Sequence, residues 1–458
     1  MKIVLLSGGS GKRLWPLSND TRSKQFLKVL RNEQGEMESM VQRVWRQLEK
    51  AGLADDTLVA VGAKQTEIIR NQLPDSVVTI VEPTRRDTFP AIALTAAYLY
   101  SIESTPLDEV VAVLPVDPYV EQSFFEKVKE LETVVRSSEA DLALIGVQPT
   151  YPSAKYGYIV PHAGSADSDT YRSVRKFVEK PSEEAAEGLI AEGALWNCGV
   201  FAFKLDTVIR LLIDKGLPIH YEEMVKQYDR LPAISFDYEV VEKVESVAVT
   251  PYDGYWKDLG TWNTLTEEMN IDKIGRGLVS PDSVNTHVVN ELDMLVTVIG
   301  LSDVVVAASP DGILVADKAR SPKLKDMLKD IEQRPMYEEK RWGTSRVMDF
   351  RKLDNDRELL TRTVRVNKGH CTSYHFHLNR DEYWTVASGE GTFVMNNVIS
   401  KIHAGDVLHI PAGTPHSVLA ESDMEWVEVQ MGSRVSAEDV IRLYHEWADI
   451  EKHCGITG

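Results

Sequence analysis

The feature that most constrains the fold is a regular alternation of strand-like and helix-like patterns over the first 270 residues. Five short runs rich in β-branched and other apolar residues have the length and composition of buried strands. Stretches with apolar residues at helical spacing lie between them. This order predicts an α/β domain with a mostly parallel sheet that is covered by helices on both faces. The predicted strands are residues 1–6, 56–62, 77–82, 109–117 and 141–147, and the predicted helices are residues 37–52, 90–102 and 124–138.

A glycine-rich loop, "SGGSGKR", directly follows the first predicted strand. The backbone N–H groups of Gly8, Gly9 and Gly11 can approach a ligand without a Cβ in the way, as phosphate-binding loops require. Lys12 and Arg13 add positive charge at the same place, and ligands of such sheets bind beyond the carboxyl ends of the strands. The spacing is neither a Walker A motif nor GxGxxG. The loop alone therefore leaves a phosphate site and an ordinary glycine turn equally open.

Length, charge and cysteine content exclude several classes of protein. A chain of 458 residues is too long for one ordinary hydrophobic core, so two or three domains are expected. The net charge of -19 argues against binding to nucleic acid or to anionic membranes. The three cysteines are widely spaced, which indicates reduced thiols and a cytoplasmic protein. There is no run of about 18 apolar residues, so no membrane span is predicted.

The pattern changes twice after the first domain, which we place at residues 1–270. Residues 271–335 read as a short β-rich spacer that ends in a charged linker helix over residues 323–332. Within the spacer, "VVVAASPDGILVAD" (residues 304–317) is a candidate contact segment of a homodimer. Residues 336–458 are again mostly strand and turn, and an amphipathic helix is expected near residues 437–450.

Several motifs of the first domain resemble the sugar-1-phosphate nucleotidyltransferases, and specifically the mannose-1-phosphate guanylyltransferases. They occur in the order found in that family, whose catalytic domain is Rossmann-like and of the GT-A type. The resemblance implies transfer of GMP from GTP to mannose-1-phosphate, with release of pyrophosphate. The motifs are "LSGGSGKRLWPLS" (6–18), "KQFL" (24–27), "EPTRRDTFPAIA" (82–93), "VLPVD" (113–117), "YGYI" (156–159), "FVEKP" (177–181), "WNCGVFAF" (196–203), "SFDYEVVEK" (235–243) and "WKDLGTW" (256–262).

The resemblance also implies a role for individual residues. Arg13 and Lys24 match basic residues around the triphosphate and the leaving pyrophosphate, and Asp117 and Asp258 match the carboxylates that hold Mg2+. Each of these could instead be structural, for example Asp117 as the end of a strand. The nucleotide contacts would come from Ser7, Gly8, Gly9, Gly11, Lys12, Arg86, Asp87 and Thr88, and the sugar-phosphate contacts from Tyr156, Gly157, Glu179, Lys180 and Asn197.

A second group of residues lies near the C-terminus. His375, His377 and Glu382 have the spacing G-x5-H-x-H-x4-E-x6-G, and His416 ends the pattern G-x5-P-x-G-x2-H. Alternate residues of a strand point to the same face, so His375 and His377 can act together. The two patterns resemble the cupin superfamily of small antiparallel β-barrels. They predict a site for a divalent transition metal (Zn, Mn, Fe, Co or Ni), although a lone His-x-His is more often an ordinary strand pair.

A cupin behind a guanylyltransferase resembles the bifunctional family that also interconverts mannose-6-phosphate and fructose-6-phosphate. From the resemblance to the guanylyltransferases, the expected partners of the chain are GTP and mannose-1-phosphate. Two alternatives stay open: a transferase for another hexose or heptose 1-phosphate, and a binding or regulatory protein whose cupin only senses a sugar phosphate. Arg380 could contact a sugar phosphate, but an exposed loop arginine is the commoner explanation.

Overall fold

The computed structural model describes residues 1–9, 12–138, 140–162, 170–353 and 356–455. Its contacts divide the chain into two units whose segments alternate along the sequence. The first unit holds Met1–Leu14, Ser23–Thr66 and Gln72–Ile271, and the second holds Trp15–Arg22, Glu67–Asn71 and Asp272–Gly458. No helix in the described ranges is long and apolar enough to cross a membrane.

The first 271 residues contain thirteen strands and eight α-helices within the described ranges. The strands are β1 (Lys2–Leu6), β2 (Leu30–Arg31), β3 (Met37–Glu38), β4 (Thr57–Gly62), β5 (Val78–Glu82), β6 (Val110–Pro115), β7 (Pro118–Val120), β8 (Leu142–Val147), β9 (Tyr158–Pro161), β10 (Arg172–Val178), β11 (Leu195–Lys204), β12 (Val247–Tyr252) and β13 (Trp256–Asp258). The helices are α1 (Met40–Ala51), α2 (Thr66–Gln72), α3 (Thr88–Ser101), α4 (Ser123–Ser137), α5 (Glu183–Ala191), α6 (Leu205–Asp214), α7 (Tyr221–Lys226) and α8 (Trp262–Glu268).

Nine of these strands form one large sheet, which confirms the predicted α/β class. Its order is β5-β4-β1-β6-β11-β8-β12-β10-β9. The strands β5, β4, β1 and β6 pair in parallel, as the alternating pattern predicts, and so do β8 and β12. The ten-residue strand β11 runs antiparallel between β6 and β8, and β9 and β10 add an antiparallel edge. The sheet is therefore mixed beyond β6.

The core of this sheet explains why the predicted elements form. The strands β4 and β8 are buried along almost their whole length, as expected for strands covered on both faces. Ten of the fourteen residues of α3 are buried, so this helix packs within the core rather than at its surface. Ser39 caps α1 through a capping box with Gln42, and Gly52 ends it in the left-handed conformation.

Residues 272–335 form a small β-rich segment. The strands β14 (Lys273–Ile274), β16 (His287–Asn290), β18 (Val304–Ser309) and β19 (Gly312–Asp317) make one sheet, and β15 (Gly277–Val279) pairs with β17 (Val296–Val298). The predicted helix over residues 323–332 is wrong: only the single turn α9 (Leu324–Met327) forms. Leu324 is buried, but Met327 is 75% exposed and Ile331 50%, so the buried apolar surface does not continue far enough to stabilise a longer helix.

The C-terminal region is a double-sheet barrel, which confirms the predicted cupin fold. One sheet has the order β20-β21-β22-β29-β24-β27 and the other β26-β25-β28-β23-β30. The predicted helix over residues 437–450 is wrong, because β30 pairs with β23 and only the shorter helix α10 follows. The elements are β20 (Tyr337–Lys340), β21 (Gly343–Leu353), β22 (Arg357–Val366), β23 (Tyr374–Phe376), β24 (Arg380–Ser388), β25 (Glu390–Met395), β26 (Val398–His403), β27 (Val407–Ile410), β28 (His416–Ala420), β29 (Met424–Gly432), β30 (Ile441–Tyr444) and α10 (Trp447–His453).

The segment Trp15–Arg22 is held by residues that lie almost 300 positions later. The guanidinium of Arg22 donates to both carboxylate oxygens of Glu291, at 2.9 Å each, and lies over the ring of Tyr337. Asn19 donates to Asp311 at 3.0 Å. Burial lowers the pKa of Arg22, but Glu291 outweighs that effect and the net pKa is raised. These contacts explain why this short segment belongs to the second unit.

Candidate active sites

The glycine loop leaves β1 at the carboxyl edge of the parallel strands. The Ser7 amide donates to the carbonyl of Ala60 at 2.9 Å, and the side chain of Gln25 donates to the carbonyl of Ser7 at 2.6 Å. An added Cβ on Gly9 would lie 3.3 Å from Oε1 of Gln25, so a larger residue there would crowd that contact. Gly8 is exposed. Gly11 lies outside the described residues.

Two carboxylates converge on Lys24 at the same edge. β7 pairs antiparallel with β13 so that Asp258 lies opposite Pro118, which brings Asp258 beside Asp117. The Nζ atom of Lys24 lies 2.7 Å from Oδ2 of Asp117 and 3.3 Å from Oδ1 of Asp258. Lys24 begins a short 3-10 helix (Lys24–Phe26) and is buried. The structure therefore brings together three of the four predicted catalytic residues.

The electrostatics of this cluster follow from burial and opposite charge. Burial lowers the pKa of Lys24, but Asp117 and Asp258 outweigh it, so the net pKa is raised. Burial likewise raises the pKa of Asp117, but the Lys24 ammonium outweighs it and the pKa lies below its ordinary value. The cluster therefore pairs a charged lysine with a charged Asp117, and Asp258 lies beside the same ammonium.

Arg13, the fourth predicted residue, reaches the same cluster. An added Cβ on Gly260 would lie 2.9 Å from a carboxylate oxygen of Asp258 and 3.3 Å from a guanidinium nitrogen of Arg13. Because Gly260 has no Cβ, the side chains of Asp258 and Arg13 have space to approach each other. Carboxylate oxygens are the ligands that a hard divalent cation prefers. The two carboxylates that meet beside Lys24, those of Asp117 and Asp258, therefore fit Mg2+.

The predicted nucleotide residues after β5 make local contacts. Asp87 caps α3 by accepting from the amide of Thr88 at 2.8 Å, and Thr88 accepts from the amide of Phe236 at 2.8 Å. Arg86 donates to the carbonyl of Asp229. Asp87 has a φ of 71°, which is uncommon for a residue other than glycine. These side chains shape the loop at the carboxyl end of β5. Lys12, the other predicted nucleotide residue, lies in the glycine loop and is half-buried.

The predicted sugar-phosphate residues form a second polar cluster. An added Cβ on Gly157 would lie 2.4 Å from Oε2 of Glu179 and 3.3 Å from Cβ of Asn197, so these three residues are in close contact. Lys180 pairs with Glu179, is half-exposed, and has a φ of 46°. Strained backbone of this kind occurs often at functional sites. The ring centroids of Tyr156 and Trp196 lie 4.9 Å apart, and both rings line a cavity of about 440 Å3.

Asp237 belongs to this polar cluster, although the sequence patterns assign it no role. Asn197 donates to Oδ1 of Asp237 at 2.6 Å. Burial and the neighbouring Glu179 raise the pKa of Asp237 to about 6. The motif "SFDYEVVEK" contains Asp237 and was the available signal, but its spacing does not show that the carboxylate faces Asn197.

The cupin barrel brings its three predicted histidines together. One nitrogen of each of His375, His377 and His416 lies within 4.8 Å of the others. His375 and His416 are paired across β23 and β28. Glu382 on β24 adjoins them: Oε1 lies 2.9 Å from Nε2 of His377 and Oε2 lies 3.4 Å from Nε2 of His416.

The hydrogen-bond partners of the histidine Nδ1 atoms favour a metal site. In each ring Nδ1 faces a backbone carbonyl: Ser373 for His375 at 2.7 Å, Asp439 for His377 at 2.5 Å, and Thr414 for His416 at 3.0 Å. Such contacts favour the tautomer with the proton on Nδ1, in which Nε2 carries the lone pair that can bind a metal. Nε2 of His416 is buried and has no hydrogen-bond partner among the described residues. The residues present therefore fit a divalent transition metal.

A cavity of about 380 Å3 opens onto this centre. Arg380 lines this cavity. The sequence suggested an exposed loop arginine, but Arg380 is only 4% exposed and begins β24. Its guanidinium donates to the carbonyl of Ser436 at 2.9 Å. Its role is therefore at least partly structural. The other basic side chains that line the cavity are Arg334, Lys340, Arg341, Arg362, Arg434 and Arg442.

Comparison with known protein families divides the chain into three regions. The model of the nucleotidyl transferase family matches residues 2–273, that of the MannoseP isomerase/GMP-like beta-helix domain matches residues 278–331, and that of the cupin domain matches residues 362–430. These regions correspond to the large sheet, the β-rich segment and the barrel described above.

Individual relatives match nearly the whole chain. A putative mannose-1-phosphate guanylyltransferase of Vibrio cholerae serotype O1 is 30% identical, over 96% of this chain and 98% of that protein. The alginate biosynthesis protein AlgA of Pseudomonas aeruginosa is 28% identical, over 96% of this chain and 95% of its own length. A crystal structure described as mannose-1-phosphate geranyltransferase, from Thermus thermophilus, has a TM-score of 0.57 and 31% identity, and covers 72% of this chain and 98% of that one.

Proposed function

The chain belongs to the nucleotidyl transferase family and, within it, to the mannose-1-phosphate guanylyltransferases, and on that premise we propose that it makes GDP-mannose. A phosphate oxygen of mannose-1-phosphate attacks the α-phosphorus of GTP. The bond between the α-phosphorus and the oxygen that bridges to the β-phosphorus breaks, and pyrophosphate leaves. No covalent enzyme intermediate is needed, so the site must supply alignment and charge neutralisation.

The observation that carries this proposal is the cluster of Lys24, Asp117 and Asp258 beside the glycine loop. Arg13 and Lys24 neutralise charge on the triphosphate and on the leaving pyrophosphate, and the amides of the loop orient the nucleotide. Mg2+, held by Asp117 and Asp258, would add further positive charge at the phosphates. The contacts with GTP come from Ser7, Gly8, Gly9, Gly11 and Lys12 in the loop, and from Arg86, Asp87 and Thr88 after β5.

The acceptor lies at the second polar cluster in this proposal. Glu179 and Asn197 bind sugar hydroxyl groups, Tyr156 and Gly157 border the sugar ring, and the ammonium of Lys180 binds the sugar phosphate. The half-exposed position of Lys180 next to a buried Glu179 supports this arrangement. Formation of GDP-mannose and pyrophosphate from GTP and mannose-1-phosphate by the purified chain tests the proposal. Release of pyrophosphate only with a different sugar phosphate would contradict it.

We propose a second function for the barrel, the interconversion of mannose-6-phosphate and fructose-6-phosphate. Three histidines with a fixed tautomer, one carboxylate and a cavity with several basic side chains support it. The metal would be held by His375, His377, Glu382 and His416, and it would polarise the carbonyl group of the open-chain sugar. The basic side chains neutralise the phosphate. Conversion of mannose-6-phosphate to fructose-6-phosphate by the metal-replete chain, followed by coupled spectrophotometry, tests this function.

We also propose that the protein is a cytoplasmic homodimer. The strand β19 is an edge strand, and its residues Ile313 and Val315 are each 61% exposed, as expected for a strand that a second copy covers. None of the three cysteines forms a disulfide in the described residues, which fits a reducing compartment. Sedimentation of the wild type and of Val315→Lys tests the dimer, and a monomeric wild type would contradict it.

A further inference from the structure

A buried carboxylate in the barrel has no part in the metal shell described above. Glu428 lies on β29, is fully buried, and lines the same cavity as the histidines. It lies opposite Trp384 on β24 and opposite Arg362 on β22. Two residues further along β29, Gln430 lies opposite Glu382. Alternate residues of a strand share a face, so Glu428 and Glu382 both face the interior of the barrel.

The hydrogen bonds of Glu428 distinguish its two carboxylate oxygens. Oε1 accepts from Nε and Nη2 of Arg362, at 2.9 and 2.7 Å, and from Nε2 of Gln430 at 2.6 Å. Within the described ranges, Oε2 accepts one hydrogen bond, from the indole of Trp426 at 3.2 Å. Oε1 is therefore saturated, whereas Oε2 retains the capacity to take a proton.

Gln430 couples this carboxylate to the metal-binding residues. Its Nε2 atom donates to Glu428 and also to Oε1 of Glu382, at 2.8 Å. Diagonal neighbours on paired strands are about 7–8 Å apart, so Glu428 lies within the reach of one small sugar from the ligand Glu382. Burial raises the pKa of Glu428, the Arg362 guanidinium lowers it, and the charge of the neighbouring Glu382 raises it further.

We propose that Glu428 is the acid–base residue of the isomerase, with Oε2 as the atom that carries the proton. This inference rests on the proposed isomerase function of the barrel. Oε2 takes the proton from C2 of open-chain mannose-6-phosphate, the C–H electron pair forms the C1–C2 double bond, and the carbonyl electrons move onto O1. The proton of the O2 hydroxyl then passes to O1, the C2–O2 double bond forms, and C1 takes back the proton from Glu428. The product is fructose-6-phosphate, with no net change at Glu428.

The test compares variants of the full-length, metal-replete chain. Glu428→Gln keeps the shape of the side chain but removes the proton acceptor, and Glu425→Gln on the same strand is the matched control, because Glu425 pairs with the exposed Arg365 outside the cavity. We expect Glu428→Gln to slow isomerisation at least about 100-fold, with unchanged metal content and unchanged guanylyltransferase activity. Glu425→Gln should behave as the wild type. Isomerisation by Glu428→Gln within about threefold of the wild type would overturn the proposal.

Two further measurements keep the outcome decisive. If Glu428→Gln releases the metal, Glu428→Asp replaces it: slower isomerisation by a metal-replete aspartate variant supports the proposal, and an unimpaired rate overturns it. With mannose-6-phosphate deuterated at C2, we expect loss of deuterium to water during turnover. Because C1 takes back the proton from Glu428, a part of the label that is retained at C1 agrees with the proposal, and the part that is lost to water distinguishes the proton transfer from a direct hydride shift. A metal-replete wild type without isomerase activity would instead refute the proposed function of the barrel and this inference with it.

Discussion

The ammonium of Lys24 lies 2.7 Å from Oδ2 of Asp117 and also faces Asp258 at 3.3 Å. The three side chains come from distant parts of the chain, and the pairing of β7 with β13 brings the two carboxylates together. Two neighbouring carboxylates repel each other, and the ammonium of Lys24 compensates their charge. In the function proposed above, Mg2+ held by the two carboxylates would compensate their charge, and the ammonium of Lys24 would then be available to the phosphates.

The first prediction concerns the two carboxylates. Asp117→Asn and Asp258→Asn should each abolish Mg2+-dependent release of pyrophosphate, because each removes a charged oxygen ligand. Both side chains are about a third exposed, so the fold should persist, which circular dichroism can check. Near-normal turnover by either variant would remove that residue from the proposed metal site.

The same pair predicts a dependence of stability on pH. The pKa of Asp117 in the folded chain lies below its ordinary value, so its charged form stabilises the folded state. That contribution is complete above the unfolded pKa of about 3.9 and is lost as the pH falls through the folded pKa. The difference in melting temperature between the wild type and Asp117→Asn should therefore be constant from about pH 5 to 8 and should shrink below about pH 4. A difference that grows on acidification would contradict this assignment.

The second prediction separates the two substrates. Lys180→Ala should weaken the apparent binding of mannose-1-phosphate by about 1.5–3 kcal/mol, the range for a charged hydrogen bond, and should leave the KM for GTP nearly unchanged. Lys176→Ala, an exposed lysine on β10, is the matched control and should have little effect. Equal losses for both substrates would show that Lys180 does not contact the sugar phosphate specifically.

The third prediction concerns the metal of the barrel. Replacing His375 and His377 by alanine should strip the bound transition metal and abolish any isomerase activity, with guanylyltransferase activity nearly intact. His403→Ala is the control, because His403 is an exposed residue of β26 outside the cluster. Metal content is measured by elemental analysis of the purified proteins. Full metal content in the double variant would refute the four-ligand assignment.

The fourth prediction concerns the anchor of the segment Trp15–Arg22. Arg22→Gln should destabilise the protein by about 3 kcal/mol, because it removes a buried guanidinium that is paired with the carboxylate of Glu291 and lies near the buried carboxylate of Glu339. Arg346→Gln, which removes an ion pair with the 91% exposed Asp293, should cost less than about 1 kcal/mol. Urea unfolding provides the comparison, and equal effects would contradict the argument from burial.

The sequence predicts those features that depend on local spacing. The strands β1, β4, β5, β6 and β8 follow from short apolar runs, and the histidine cluster follows from the period of a strand and from two spacings of glycine, histidine and glutamate. The contact of Arg22 with Glu291 spans 269 residues, and no local pattern indicates it. The same holds for β30, whose sequence has helical periodicity but which pairs with β23 instead. Asp237 was missed because its contact with Asn197 is tertiary.

The most direct test of the central claim follows the fate of the phosphorus atoms of GTP. The purified chain is incubated with Mg2+, mannose-1-phosphate and GTP labelled at the α-phosphorus, and the products are separated by chromatography. The same reaction is run with ATP, CTP and UTP, and with other hexose and heptose 1-phosphates. We predict that the α-label enters GDP-mannose, that pyrophosphate is released in equal amount, and that Asp117→Asn does neither. Failure to label GDP-mannose, or preferential labelling of a different nucleotide sugar, would contradict the account.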